Sequence, residues 1–173
     1  MTGALTKHLL GILYAHEGRY EEAGEAFLRA IGEEPEIVGS YVELGLVYAR
    51  RGEYRKMAEA LRKAVEIGER GVRAYLDEQP LGGAPGALSG AAACGQAEAV
   101  HSSAAAAMTY LARGRDDEAA AMLEEGLRSR ESRPPVLVAL LALTHLLSGE
   151  AVDVDEGGSV RTAAPSGATT DGR

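Results

Sequence analysis

A few groups of residues in this 173-residue chain have the types that catalysis, metal binding or phosphate binding requires. His101, Ser102 and Ser103, with Cys94 upstream, combine a base with hydroxyl and thiol nucleophiles. Such chemistry also needs a group that orients the histidine and a sharp turn that presents the nucleophile. No G-x-S-x-G elbow surrounds either serine, and no acid stands in order to hold His101. His8 and His16 are metal-ligand types, but no further ligand lies near them in sequence, and a single cysteine cannot build a zinc cluster. The stretch LGGAPGALSG (81–90) is glycine-rich, yet it has neither G-K-[ST] nor G-x-G-x-x-G, so it does not read as a phosphate cradle. The carboxylates of GRYEEAGEAF and RDDEAA stand where helices should begin, and negative charge there complements the helix dipole. RRGEYRK (50–56) is a small basic patch that reads as solvated charge, with a partner carboxylate as the sharper alternative. No catalytic set, metal ligand set or cofactor site emerges. The expectation is binding without chemistry.

Composition narrows the partner. The formal charge is −8 with a pI near 5.1, whereas a nucleic-acid surface needs clustered positive charge. No nucleic-acid partner is therefore expected. The longest apolar run, VLVALLALTHLL (136–147), falls short of the roughly 18 to 20 apolar residues of a membrane span and carries Thr144 and His145. One cysteine excludes an internal disulfide and fits a reducing compartment, so the expected location is the cytoplasm. The first residues, MTGALTKHLLGILYAHEG, fit a repeat pattern, so a signal peptide is not expected there.

The elements that would position a binding surface come from that repeat. KHLLGILYAHEGRY (7–20) aligns with YVELGLVYARRGEY (41–54). Gly11 maps to Gly45, Tyr14 to Tyr48, Gly18 to Gly52 and Tyr20 to Tyr54, each 34 residues on. Leu10 and Leu44, Ala15 and Ala49, Phe27 and Leu61, and Ala30 and Ala64 continue the match. Apolar residues recur at three- and four-residue steps, the period of a helix face. Gly18 and Gly52 stand where a first helix should stop, because glycine accepts the left-handed C-cap conformation. Pro35 closes the first unit. Each unit reads helix, tight turn, helix, turn. The mid-helix glycines Gly11 and Gly45 cost about 1 kcal/mol each relative to alanine, a cost that makes sense where a second helix approaches closely.

These residues resemble the tetratricopeptide repeat, a 34-residue helix–turn–helix unit with an aromatic residue, L-G-x-x-Y, and then Ala, an aromatic or Leu, Ala and Pro. Unit 1 has Leu10, Gly11, Tyr14, Ala23, Phe27, Ala30 and Pro35, with Lys7 in the aromatic's place; unit 2 has Tyr41 and LGLVY, with Met57 for the middle Ala and Glu69 for the Pro. Residues 4–78 are read as two such repeats, the second helix of unit 2 either running to Glu78 or breaking near Gly68 and Gly71. Residues 79–103 read as a low-complexity Gly/Ala-rich insertion. Residues 104–150 read as a degenerate repeat, with Tyr110, Gly114, Ala119 and Leu123 in register, plus a terminal apolar helix. Residues 151–173 have few large apolar side chains and are expected to be disordered. The fold implied is all-α, a short right-handed solenoid with a disordered C-terminal tail.

The resemblance also implies where a partner would sit. In that family ligands usually contact the first helix of each unit on the concave side. By register the positions are His8, Ile12 and His16 in unit 1, and Val42, Leu46 and Arg50 in unit 2. The Lys and Asn clamp of chaperone-tail binders is not in this set. Ile12, Val42 and Leu46 suit an apolar peptide or an amphipathic helix instead. The resemblance therefore implies a non-catalytic module that binds a protein or peptide partner in its groove. The alternative is a structural scaffold that forms a homo-oligomer through the apolar helix 136–147, and the chain's own downstream helix could equally bury the groove.

Overall fold

The computed structural model describes residues 3–78, 95–128 and 133–163. Among them stand α1 (Gly3–His16), α2 (Tyr20–Glu33), α3 (Val38–Arg50), α4 (Tyr54–Glu78), α5 (Gly95–Ala112), α6 (Asp116–Arg128), α7 (Pro135–Leu147), β1 (Ala151–Val154) and β2 (Val160–Ala163). Successive helices pair as α1 with α2, α3 with α4, and α5 with α6, and α2 packs on α3 to stack the first two pairs. The result is a right-handed all-α solenoid.

Each first helix ends in the same way. Gly18, Gly52, Gly114 and Gly149 take φ between 71° and 80°, the left-handed region that glycine enters without a Cβ clash. Beyond each, the next amide reaches back 2.9 Å to the carbonyl of Tyr14, Tyr48, Tyr110 or His145, closing a Schellman turn. A cation lies over each tyrosine ring, from the turn for Arg19 over Tyr14 at 4.4 Å and Arg115 over Tyr110 at 4.8 Å, and from the first turn of α4 for Lys56 over Tyr48 at 5.6 Å. The α7 end therefore repeats the local geometry of α1, α3 and α5.

The mid-helix glycines do permit close packing. A Cβ on Gly11 would lie 2.6 Å from the Phe27 ring, and one on Gly45 would lie 2.6 Å from Leu61. Both partners are fully buried.

Helix α4 resolves the two readings of its course by realising both. The backbone is extended at Gly68 (φ 173°, ψ 112°), and the helix resumes and runs to Glu78. The stretch past Gly68 carries Val72 and Leu76 into the core and Tyr75 against α3. It also carries Arg73. The guanidinium of Arg73 donates to both Asp116 oxygens at 2.7 Å and to the Leu111 carbonyl at 2.6 Å. Asp116 first, then Glu69, holds Arg73 above its ordinary value against the opposing effect of burial. This fork ties the second helix pair to the third. Of the expected insertion 79–103, residues 79–94 lie outside the described residues, and α5 begins at Gly95.

The C-terminal half departs from expectation in two places. Helix α7, read either as a self-association surface or as the chain's own cover over the groove, is the cover: it packs against α3, α4, α5 and α6, and Val136 to Thr144 are all buried. A helix apolar on every side is most stable where every side is covered. Residues 151–163, expected to be disordered, form an antiparallel hairpin with Ala151 opposite Ala163 and Val154 opposite Val160. Val152 and Val154 point into the core while Ala151 and Asp153 face out. At the turn, the Asp155 carboxylate accepts the amides of Gly157 (3.0 Å) and Ser159 (2.8 Å), an Asx-type closure. Arg62 and Arg133 donate to the carbonyls of Val152 and Gly158 and fasten the hairpin to the helices. Residues 164–173 of the expected tail lie outside the described residues.

Candidate interaction surface

The expected groove positions separate into two groups. Val42 and Leu46 are 1% and 2% exposed and belong to the same apolar cluster as α7. They are core residues, and the expectation that they meet a partner is corrected. The reason is tertiary: α7 lies on α3 and fills the concave side of unit 2 with the chain's own leucines. His8 is also buried, closed over by Tyr75 from the α4 extension. Ile12 and Arg50 are half-buried, and His16 is exposed.

Around His8 the residues form a small polar cluster within the core. Its Nδ1 lies 2.9 Å from the Ser40 hydroxyl. Its ring meets Phe27 at 5.6 Å and Tyr75 edge-on at 6.1 Å. The Tyr75 hydroxyl donates to the Glu43 carboxylate at 2.8 Å. Burial pushes the His8 imidazole below its ordinary value of 6.5, because the apolar surroundings disfavour the charged form. The folded chain thus resists a proton that the unfolded chain accepts. The contribution of His8 to stability is therefore intact above about pH 6.5 and is lost progressively as pH falls below it. Urea midpoints measured between pH 7.5 and 5 should fall more steeply for the wild type than for His8→Gln.

The open apolar surface is on α1. Ala4, His8, Gly11 and Ala15 form its inner face, at steps of three and four residues. Leu5, Leu9 and Leu13 recur every fourth residue on another side and are 39%, 44% and 60% exposed; Leu10 beside them is 40% exposed. With Leu28 of α2, these are the exposed large hydrophobic side chains among the described residues. Ile12 and His16, three and seven residues beyond Leu9, share its side of the helix. Helix α1 carries no carboxylate in a chain of net charge −8. Its Lys7 pairs with Glu33 of α2. The signal for this surface was present in sequence: α1 has more leucines than one buried face can use.

Of the residues considered for chemistry, only some belong to described elements. Cys94 and residues 81–90 lie outside the described residues, and His101, Ser102 and Ser103 are on α5. Among the described residues, no three His, Cys, Asp or Glu side chains gather to hold a metal ion. An open cavity of about 260 Å³ lies between the α3–α4 turn and the hairpin, lined by Gly52, Tyr54, Lys56, Val154 and Asp155. Another, of about 300 Å³, is lined by Glu124, Arg128, Arg133, Leu141 and Ser159. Glu53, at the first, is already paired with Arg51 and Lys56. No helix among the described residues is long and apolar enough to cross a membrane.

Comparison with protein families matches tetratricopeptide repeat models to residues 5–37, 38–67 and 104–132. Together these matches cover more than half of the chain, and the third falls on the degenerate unit that α5 and α6 form. No curated protein and no solved structure matches the chain.

Proposed function

We propose, from the premise that this chain belongs to the tetratricopeptide repeat family, that it is a non-catalytic protein–protein interaction module whose contact surface is the open side of α1. One observation carries the reading: the concave side of α3 is occupied by α7, while the leucines of α1 stay in water. Full burial of a leucine from water is worth about 1.5–3 kcal/mol, and a partner covering the exposed part of Leu5, Leu9 and Leu13 gains a share of that at each. Ile12 and His16, from the expected groove, border that surface, and Arg50 is the position in unit 2 that corresponds to His16, 34 residues on. The single cysteine supports a reducing, cytoplasmic setting.

A photo-reactive side chain in place of Leu9 tests this in cells. Adducts with another protein are expected from that position and not from Glu59, which is exposed on α4. Equal labelling at both positions, or none at Leu9, would sink the reading. An adduct of twice the chain's own mass would show self-association instead.

A further inference from the structure

The chain already shows what kind of element covers the α1 positions, because unit 2 repeats them. Leu10 and Leu13 correspond to Leu44 and Val47, 34 residues on. Leu10 and Leu13 are 40% and 60% exposed, whereas Leu44 and Val47 are 4% and 0% exposed. Helix α2 makes the difference. It lies on α3 with Gly24 at the crossing, where an added Cβ would rest 3.8 Å from Val47 and 3.9 Å from Leu44. Small residues line this face and its flank: Ala23, Gly24 and Ala26 are all buried. No described helix takes the equivalent place on α1.

We infer that the occupant of this surface is an amphipathic helix of a partner protein, with a Gly/Ala seam that crosses Leu10 and Leu13 as α2 crosses Leu44 and Val47. This rests on the interaction reading above and gives its partner a form. The seam matters because a large side chain at the crossing would hold the two helix axes apart and leave the leucines wet. A second copy of this chain is a poorer fit. Its α2 seam is taken by its own α3, and among the described residues its other exposed large hydrophobics are the same α1 leucines and Leu28, which is on that same α2.

The probe is a synthetic peptide with the sequence of residues 19–34, fluorescently labelled. It is stapled across positions 25 and 29, which face solvent in the fold and already pair as Glu25 with Arg29. Titration with the full chain, read by anisotropy, should show saturable one-to-one binding. Leu13→Glu in the protein should weaken it at least tenfold, and so should Gly24→Leu in the peptide. Leu13 is exposed, so the variant's unchanged thermal midpoint serves as the folding control. Absence of saturable binding, or binding insensitive to Leu13→Glu, overturns the proposal. So does sedimentation showing that the chain alone dimerises in a Leu13-dependent way, since the occupant would then be a second copy. If the peptide fails while Leu9 still yields adducts with another protein, the interaction reading stands and this choice of partner is wrong.

Discussion

Leu46→Glu is expected to abolish cooperative folding, not to release a partner from an otherwise intact chain. Leu46 is 2% exposed within the cluster that joins α3 to α7. A carboxylate there would have no solvent, and burying an unpaired charge costs more than a domain's usual margin of about 5–15 kcal/mol can spare. The milder Leu46→Ala removes apolar contact and leaves a cavity, at a cost of about 2–5 kcal/mol. Urea denaturation followed by circular dichroism measures both. A Leu46→Glu variant with the wild-type midpoint would mean that α7 does not lie over α3, and the concave face would again be open to ligands. The pair of substitutions thus separates a core position from a groove position at one residue.

Phe27→Ala is the second large effect, with an expected loss of about 3–5 kcal/mol. The ring is fully buried beneath Gly11 and against His8. Gly11→Ala tests the same contact from the other side. Its new Cβ would stand 2.6 Å from the Phe27 ring, and crowding of that kind costs about 1–3 kcal/mol. Alanine returns about 1 kcal/mol of helix propensity, so the single variant should be destabilised by less than Phe27→Ala. Combining Gly11→Ala with Phe27→Leu makes room for the methyl group. The double variant should therefore lose less than the sum of the two singles, a coupling readable from a double-mutant cycle. Strict additivity would show that the glycine is not kept for this approach.

Legibility differed by element for physical reasons. The two regular repeats were readable because their determinants are local: a Gly at each first helix's C-cap, a mid-helix Gly against Phe27 or Leu61, and apolar steps of three and four. The hairpin is hidden from composition, because the few apolar residues of 151–163 suggest disorder when only their content counts. The alternation of Ala151-Val152-Asp153-Val154 before Asp155-Glu156-Gly157-Gly158 was the signal that a strand and turn follow. Tyr75 was not legible as a lid over His8, since its reach depends on the extended backbone at Gly68. Of the expected groove set, Val42, Leu46 and His8 were lost to the interior, while Ile12 and His16 remain beside an open surface.

By itself the sequence determined the repeat, its helix ends and the residues that let paired helices touch, because each follows from contacts within a single 34-residue unit. It also determined that α7 had to be buried, since no side of that helix tolerates water. Only the tertiary structure decided where. Helix α7 reaches α3 across more than eighty residues of intervening chain, and no local pattern encodes which surface a remote helix will cover. That placement closed the concave side of unit 2 and left the leucines of α1 as the apolar surface still facing solvent.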